Sequence, residues 1–95
     1  MTDFEFDDNK NRLNKERHGV DFHDAQLLWK VTNVVVEVKS SSAEQRWAMI
    51  GMIHEECYLA VFTKRRDHVR LISFHRADRR FVKIYEKYIK EKENP

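Results

Sequence analysis

The alternation of hydrophobic and polar residues predicts a β-hairpin followed by a helix in the C-terminal part of the chain. Residues 57–63 and 69–74 are rich in apolar, β-branched and aromatic residues with the alternation of strands. A basic connection at residues 64–68 separates them and predicts the turn. Asp78 can then cap a helix whose apolar residues recur with the spacing of one buried stripe. That stripe consists of Phe81, Ile84, Tyr85, Tyr88 and Ile89.

A mostly polar helix is predicted near the N-terminus. An aspartate, either Asp7 or Asp8, can cap its start. We expect the helix to end at about His18, because Gly19 follows and favours a C-terminal stop. Leu13 is the one strongly apolar side chain in this segment, so it is the expected anchor to the core.

The middle of the chain reads as a second helix and two strands. Asp21 can cap the helix, which is expected to end near Lys30. The alternation at residues 34–39 predicts a strand, and three serines at 40–42 end it. The next strand is predicted over residues 46–54 and turns directly into the hairpin.

Together these segments predict an α+β fold, in the order β-α-α-β-β-β-β-α if a short extended segment at residues 4–6 is counted. Strands joined by short turns pair antiparallel. We therefore expect a small antiparallel sheet, with two N-terminal helices and one C-terminal helix packed on one face. The last strand carries apolar residues on both sides, so the pattern leaves open which side meets the helices. One side holds Val69, Leu71, Ser73 and His75, and the other holds Arg70, Ile72, Phe74 and Arg76.

The length predicts one folded domain over residues 1–95, because a chain of 95 residues that was divided between two cores would bury too little surface in each. With 2 Gly and 1 Pro, long linkers are not expected. The single cysteine, Cys57, excludes an internal disulfide and favours a reducing compartment. No apolar run reaches membrane-spanning length and the chain starts acidic, so we expect a soluble cytoplasmic protein with no membrane partner.

Charge is divided unevenly along the chain. The net charge is +2, yet residues 1–62 hold 7 Lys and Arg against 11 Asp and Glu, a net charge of −4. Residues 63–95 hold 11 against 5, a net charge of +6. The basic part contains the hairpin turn and the last helix, so a polyanion is expected to bind there.

Three motifs spread over residues 4–86 resemble those of one family. The first is Phe4-Glu5-Phe6-Asp7 with Asn14, Arg17-His18-Gly19-Val20-Asp21-Phe22 and Ala25. The second is Arg46 with Ile50-Gly51, and the third is Val61-Phe62-Thr63 with Arg65, Arg70-Leu71-Ile72-Ser73, Ala77, Arg79-Arg80 and Tyr85-Glu86. In this order and spacing they resemble the F-E-W-D…N…K-H-G-V-x-F-x-x-A, R-x-x-x-I-G and final blocks of the BrnT family. This family comprises ribonuclease toxins of bacterial type II toxin–antitoxin systems.

The chain departs from the family pattern at four positions. Phe6 stands where Trp is usual and Arg17 where Lys is usual. His75 stands where the family commonly has Arg, and Phe81 where it commonly has Glu. The last two departures fall in the expected site.

The resemblance implies a fold like that of the RelE-type toxins and an activity as a growth-inhibiting endoribonuclease. It also implies a BrnA-type antitoxin as partner, whose ribbon-helix-helix domain binds operator DNA, so that the toxin meets DNA only through the antitoxin. The remaining implied partner is the RNA substrate.

Residues that can cleave RNA without a metal are present. In that reaction the 2′-hydroxyl attacks its own phosphate, which requires a base, a cation for the phosphoryl charge and an acid for the leaving oxygen. The chain has no Walker loop, no paired Cys ligands and no H-E-x-x-H, so no metal or other cofactor is expected.

We expect Arg65 and Arg79 to clamp the phosphate, because guanidinium forks fit phosphate oxygens and Arg79 stands at a helix start. His18 and His75 are the candidate proton carriers, since imidazoles titrate near neutrality. The site is thus expected at the hairpin turn and the last helix. Four further cations are candidates for substrate binding: Lys15, Arg70, Arg80 and Lys83.

Other interpretations of the same residues stay open. His18 can simply cap a helix, His75 can be a half-exposed strand residue, and the basic face of the last helix can be solvated surface. Two alternative functions follow: a non-catalytic RNA-binding module, and an inactive toxin relic that serves as the antitoxin-binding subunit in operon repression.

Overall fold

Five strands form one mixed sheet in the computed structural model, which describes residues 2–94. They are β1 (Asp3–Glu5), β2 (Asn33–Val38), β3 (Arg46–Ile53), β4 (Glu56–Arg65) and β5 (His68–Arg76), and their order across the sheet is β1-β5-β4-β3-β2. Strands β2 to β5 form the predicted antiparallel meander. The prediction of a wholly antiparallel sheet is wrong, because β1 pairs parallel to β5 at the edge that the meander leaves open.

The helices begin where their capping residues predict. They are α1 (Asp8–His18), α2 (Phe22–Ala25), a 3-10 helix (Gln26–Lys30) and α3 (Arg79–Glu93). Asp7 accepts hydrogen bonds at the start of α1, and Gly19 ends that helix with a φ of 75°, a conformation that suits glycine. Asp21 forms a capping box with Asp24. The second predicted helix therefore exists as two short pieces, α2 and the 3-10 helix.

Asn14, and not Leu13, fixes α1 to the rest of the molecule. Leu13 is 39% exposed, whereas Asn14 is buried. The Asn14 amide donates from Nδ2 to the Phe74 carbonyl (2.6 Å) and the Val20 carbonyl (2.8 Å), and its Oδ1 accepts from the Phe74 N–H (3.1 Å). Strand β1 pairs only with residues 68–70, so this amide supplies at Phe74 the hydrogen bonds that a neighbouring strand would give.

Apolar residues cover both faces of the sheet, so the prediction that all helices pack on one face is wrong. On the first face, α2 and the 3-10 helix pack on a cluster of Phe22, Ala25, Leu28, Met49, Ala60, Phe62, Leu71 and Phe74. On the second face, α3 packs through Phe81, Ile84 and Tyr85 on Ala48, Ile50 and Leu59. The physical reason is that β3 and β4 carry apolar side chains on both sides, and each side must be removed from water.

A β-bulge in β5 changes the side on which its residues lie. Val61 pairs with Ser73 but Phe62 pairs with Leu71, so Ile72 is an extra residue. Leu71 and Phe74 therefore both enter the first-face core. The predicted uninterrupted alternation of β5 is wrong for this reason, and the bulge is what turns Ser73 toward the second face.

We predict that Asn14→Ala lowers the free energy of unfolding by roughly 3 kcal/mol, because it leaves the buried N–H and C=O of Phe74 without partners. Urea denaturation measures this change. Asn9→Ala, an exposed substitution on the same helix, is the control and should change stability by less than about 0.5 kcal/mol. Equal stabilities of the two variants would contradict the role given to Asn14.

Candidate functional site

Two histidines meet where α1 ends against β5. His18 is the last residue of α1 and lies one turn beyond Asn14, on the same side of the helix. His75 follows Phe74, whose backbone the Asn14 amide holds. The ring centroids of His18 and His75 are 5.1 Å apart, with an angle of 40° between the ring planes. We call these two residues the histidine pair.

The two rings of the histidine pair have different surroundings. Partial removal from water, followed by the charges of His75 and Arg17, lowers the pKa of His18. The Nδ1 of His75 lies 2.8 Å from the carbonyl oxygen of Arg76, and because a carbonyl only accepts, Nδ1 carries a hydrogen. The Nε2 of His75 is therefore the nitrogen left for other contacts.

The capping interpretation of His18 has little support in the geometry. The last turn of α1 is closed by the Gly19 N–H, which donates to the Lys15 carbonyl at 2.9 Å. In residues 2–94 the ring of His18 makes no hydrogen bond to a main-chain carbonyl.

A long open groove lies on the second face beside His75, and we call it the second-face groove. Its volume is about 830 Å³. Apolar sheet residues line it together with polar residues and charged residues of both signs, chiefly Val36, Val38, Leu59, Val61, Glu37, Lys39, Arg46, Ser73, His75, Asp78 and Arg80. A smaller cavity of about 300 Å³ includes His18, and both spaces share Ile72 and Ser73. The β5 bulge therefore lies between the second-face groove beside His75 and the smaller cavity beside His18.

The start of α3 brings positive charge to the groove. Asp78 caps the helix by accepting from the Phe81 N–H at 3.2 Å, and Arg79 and Arg80 follow with no acidic residue in the first turn. Cations at a helix N-terminus are repelled by the positive end of the helix dipole, so Arg79 and Arg80 do not stabilise α3 by their charge. They concentrate positive potential where an anion would be stabilised.

Only some of the predicted site residues lie at the second-face groove or at the start of α3 beside it. Arg80 lines the groove, with its guanidinium 4.4 Å from the Phe81 ring centroid, while Arg79 is exposed at the first position of α3. Lys15 and Lys83 are exposed on α1 and α3 and line neither space.

Arg65 and Arg70 lie away from the histidine pair. Arg65 pairs with Glu44, with Nε 3.0 Å from Oε2, and Arg70 pairs with Glu5 at 3.3 Å. The strand from His68 to Arg76 separates Arg65 from Arg79 by roughly 25 Å. The structure therefore does not bring Arg65 and Arg79, the two predicted phosphate clamps, together, because the hairpin turn and the start of α3 lie at opposite ends of β5.

Arg46 is the groove residue to which sequence reasoning assigned no function. It was visible as the first residue of the second motif, and as a charged residue in a strand whose neighbours at Ala48 and Ile50 face a core. That inward-facing charge is the signal that could have found it.

The described part of the chain, residues 2–94, contains no group of three or more His, Cys, Asp or Glu placed to hold a metal ion. None of the helices in those residues has the length and apolar character needed to cross a membrane.

Residues 6–80 match the family model described as "Ribonuclease toxin, BrnT, of type II toxin-antitoxin system". The chain belongs to the BrnT family. The resemblance inferred from the three motifs is thereby confirmed, and the chain is a ribonuclease toxin of the type II toxin–antitoxin class.

The fold is similar to that of a BrnT structure solved at 1.1 Å resolution, the Brucella abortus ribonuclease toxin. The two share 21% sequence identity with a TM-score of 0.66, over 83% of this chain and 100% of the other. The α+β fold with a five-stranded sheet is thus shared with this BrnT. No curated protein sequence matches the chain.

We predict that His18 titrates with a pKa below its ordinary value of 6.5. The folded state then binds fewer protons than the unfolded state, so the contribution of His18 to stability is complete above pH 6.5 and is lost as the pH falls below it. Two-dimensional NMR of the imidazole signals measures the pKa.

His75→Gln removes a like charge and should move the pKa of His18 up toward 6.5. His68→Gln, at the far end of β5, is the control and should leave it in place. If the His75 and His68 variants give the same His18 titration, the two rings of the pair are not electrostatically coupled.

Proposed function

We propose that the chain is a metal-independent endoribonuclease in which the histidine pair transfers the protons. The observation that carries this proposal is the 5.1 Å approach of His18 and His75 beside a groove that holds Arg46 and Arg80. Two imidazoles at this distance can serve the two sides of one phosphodiester. The arginines at the α3 start, Arg79 and Arg80, then oppose the charge that develops on the phosphoryl oxygens.

His18 is the proposed general base. Its lowered pKa keeps the imidazole neutral at neutral pH, so it can take the proton of the 2′-hydroxyl. The 2′-oxygen then bonds to phosphorus while the bond from phosphorus to the 5′-oxygen breaks. His75 in its imidazolium form is the proposed acid, and its Nε2 gives the proton to the leaving 5′-oxygen because Nδ1 is engaged by the Arg76 carbonyl. The products are a 2′,3′-cyclic phosphate and a 5′-hydroxyl.

Arg79 and Arg80 are the proposed phosphoryl cations. Both lie in the first turn of α3, and Arg80 also lines the groove beside His75. Loss of a true phosphate clamp costs roughly 3 kcal/mol of transition-state stabilisation, a reduction of about 10²-fold to 10³-fold in rate. Lys15 and Lys83 are proposed to hold more distant phosphates. No step is assigned to Arg65 or Arg70, whose charges pair with Glu44 and Glu5.

A BrnA-type antitoxin is the proposed partner, and operator DNA is contacted only through it. Family membership implies an antitoxin, and the exposed cations at the α3 start are the surface that such a partner must cover to exclude RNA. We place the activity in the bacterial cytoplasm, where RNA and the antitoxin are made, and we group the fold with the RelE-type toxins.

A second candidate function is that of an inactive relic, which keeps the antitoxin contact but no longer cleaves RNA. It is favoured by His75 and Phe81, which stand where the family commonly has Arg and Glu. A ribonuclease toxin expressed without its antitoxin should arrest growth, whereas an inactive relic should not.

We predict that induced expression of the chain in a bacterium arrests growth with loss of RNA, and that Arg79→Ala combined with Arg80→Ala abolishes the arrest. Growth curves and total RNA measure the effect. Arg12→Ala, which removes an exposed arginine paired with Glu16 on α1, is the control and should remain toxic.

Folding of the double variant is checked by its thermal denaturation. Full arrest by a folded double variant would refute the assignment of Arg79 and Arg80. Absence of arrest by the folded wild-type chain would favour the relic.

A further inference from the structure

Arg46 carries a positive charge in the sheet and forms no ion pair within residues 2–94. The pKa of Glu44 is lowered by Arg65, which binds that carboxylate directly, and the charge of Arg46 helps to lower it. Arg46 begins β3, where it pairs with Val38 of β2, and its side chain lies on the second face together with Ala48 and Ile50. In residues 2–94, its Nε is the one buried side-chain nitrogen or oxygen without a hydrogen-bond partner. A buried donor without an acceptor destabilises the fold, so an arginine kept at such a place calls for an explanation.

The nearby carboxylates are already engaged elsewhere. Glu44 accepts from Arg65 at 3.0 and 3.4 Å, Glu37 accepts from the Gln45 side chain, and Asp78 caps α3. No carboxylate in the described residues lies within 4.0 Å of the Arg46 guanidinium as an ion pair. The positive charge of Arg46 is therefore available to an anion that enters the groove.

We infer that the second-face groove binds the RNA strand next to the cleavage site and that Arg46 contacts a phosphate there. This inference rests on the proposed ribonuclease function and extends it by naming a substrate-binding residue. The groove offers the apolar sheet residues Val36, Val38 and Val61 for the sugar and base faces. For the phosphates it offers three cations, Lys39, Arg46 and Arg80, which outnumber its two carboxylates, Glu37 and Asp78. It is continuous with His75 and Arg80, so a strand lying in it leads to the histidine pair.

The distance across the sheet determines which phosphate Arg46 can contact. His75 pairs with Leu59, Leu59 pairs with Ile50, and Ile50 is four residues beyond Arg46 on β3. Strand spacing and rise place the Cα atoms of Arg46 and His75 roughly 16 Å apart. Arg46 is therefore a binding residue for a flanking phosphate, and its loss should raise KM while leaving kcat unchanged.

The test measures RNA affinity by fluorescence anisotropy, with a short single-stranded RNA that carries 2′-O-methyl groups and is therefore not cleaved. We expect Arg46→Met to weaken binding about 10-fold and to reduce the slope of log affinity against log salt by about 0.7, the contribution of one phosphate contact on a single strand. Arg12→Met, an equal change of charge on α1, is the matched control and should have a smaller effect.

A structural function for Arg46 predicts a different result. Methionine keeps most of the apolar stem and removes the unpaired donor, so Arg46→Met should be at least as stable as the wild type to thermal denaturation. Weaker RNA binding by a variant of undiminished stability would identify a ligand contact. Weaker binding that accompanies a large loss of stability would overturn the inference.

Cleavage of ordinary RNA distinguishes this inference from the proposed function. If the wild type cleaves and Arg46→Met has the same KM, RNA affinity and salt slope, the inference fails while the ribonuclease function stands. If the wild type binds RNA through Arg46 but does not cleave, the function fails and the groove assignment stands. If Arg46→Met binds RNA normally but loses affinity for the antitoxin, the groove is a protein-docking surface and the inference is overturned.

Discussion

The buried amide of Asn14 is the contact on which the rest of the site depends. A helix with hardly any apolar surface cannot pack on a sheet through the hydrophobic effect, and α1 is held instead by hydrogen bonds from Asn14 to the backbone of Phe74. Because those bonds have fixed geometry, they set the position of α1 along β5 to within one residue. His18, one helical turn beyond Asn14, therefore arrives beside His75, one residue beyond Phe74. The same interaction completes the fold and forms the histidine pair.

The bulge at Ile72 determines which residues of β5 face the second-face groove. Without the extra residue, Leu71 and Ser73 would lie on one side of β5, and Phe74 would leave the first-face core. With it, Leu71 and Phe74 both remain in that core, and Ser73 turns to the groove. Bulges commonly re-aim side chains next to active sites, and here one places the polar end of β5 between the groove and the cavity beside His18.

The features predicted correctly from the sequence are those that depend on residues close together in the chain. The caps at Asp7, Asp21 and Asp78 fixed the helix starts, because capping involves only residues close in the chain. Sequence reasoning missed what depends on distant residues: the parallel pairing of β1, the covering of both sheet faces, and the bulge. For the site, it named two histidines that the fold brings together, His18 and His75, but it grouped Arg65 with Arg79, which the fold places at opposite ends of β5. A guanidinium that pairs with Glu44 and one whose Nε finds no hydrogen-bond partner within residues 2–94 look alike in a sequence, and only the fold separates Arg65 from Arg46.

We propose that this chain cleaves RNA by attack of the 2′-hydroxyl, with proton transfer by His18 and His75 and without a metal. The most direct measurement is the chemical identity of the ends produced when the purified chain cleaves RNA in the presence of EDTA. We expect 2′,3′-cyclic phosphate and 5′-hydroxyl ends, formed at the same rate with and without EDTA. Cleavage that EDTA abolishes, or that leaves 3′-hydroxyl and 5′-phosphate ends, would contradict it.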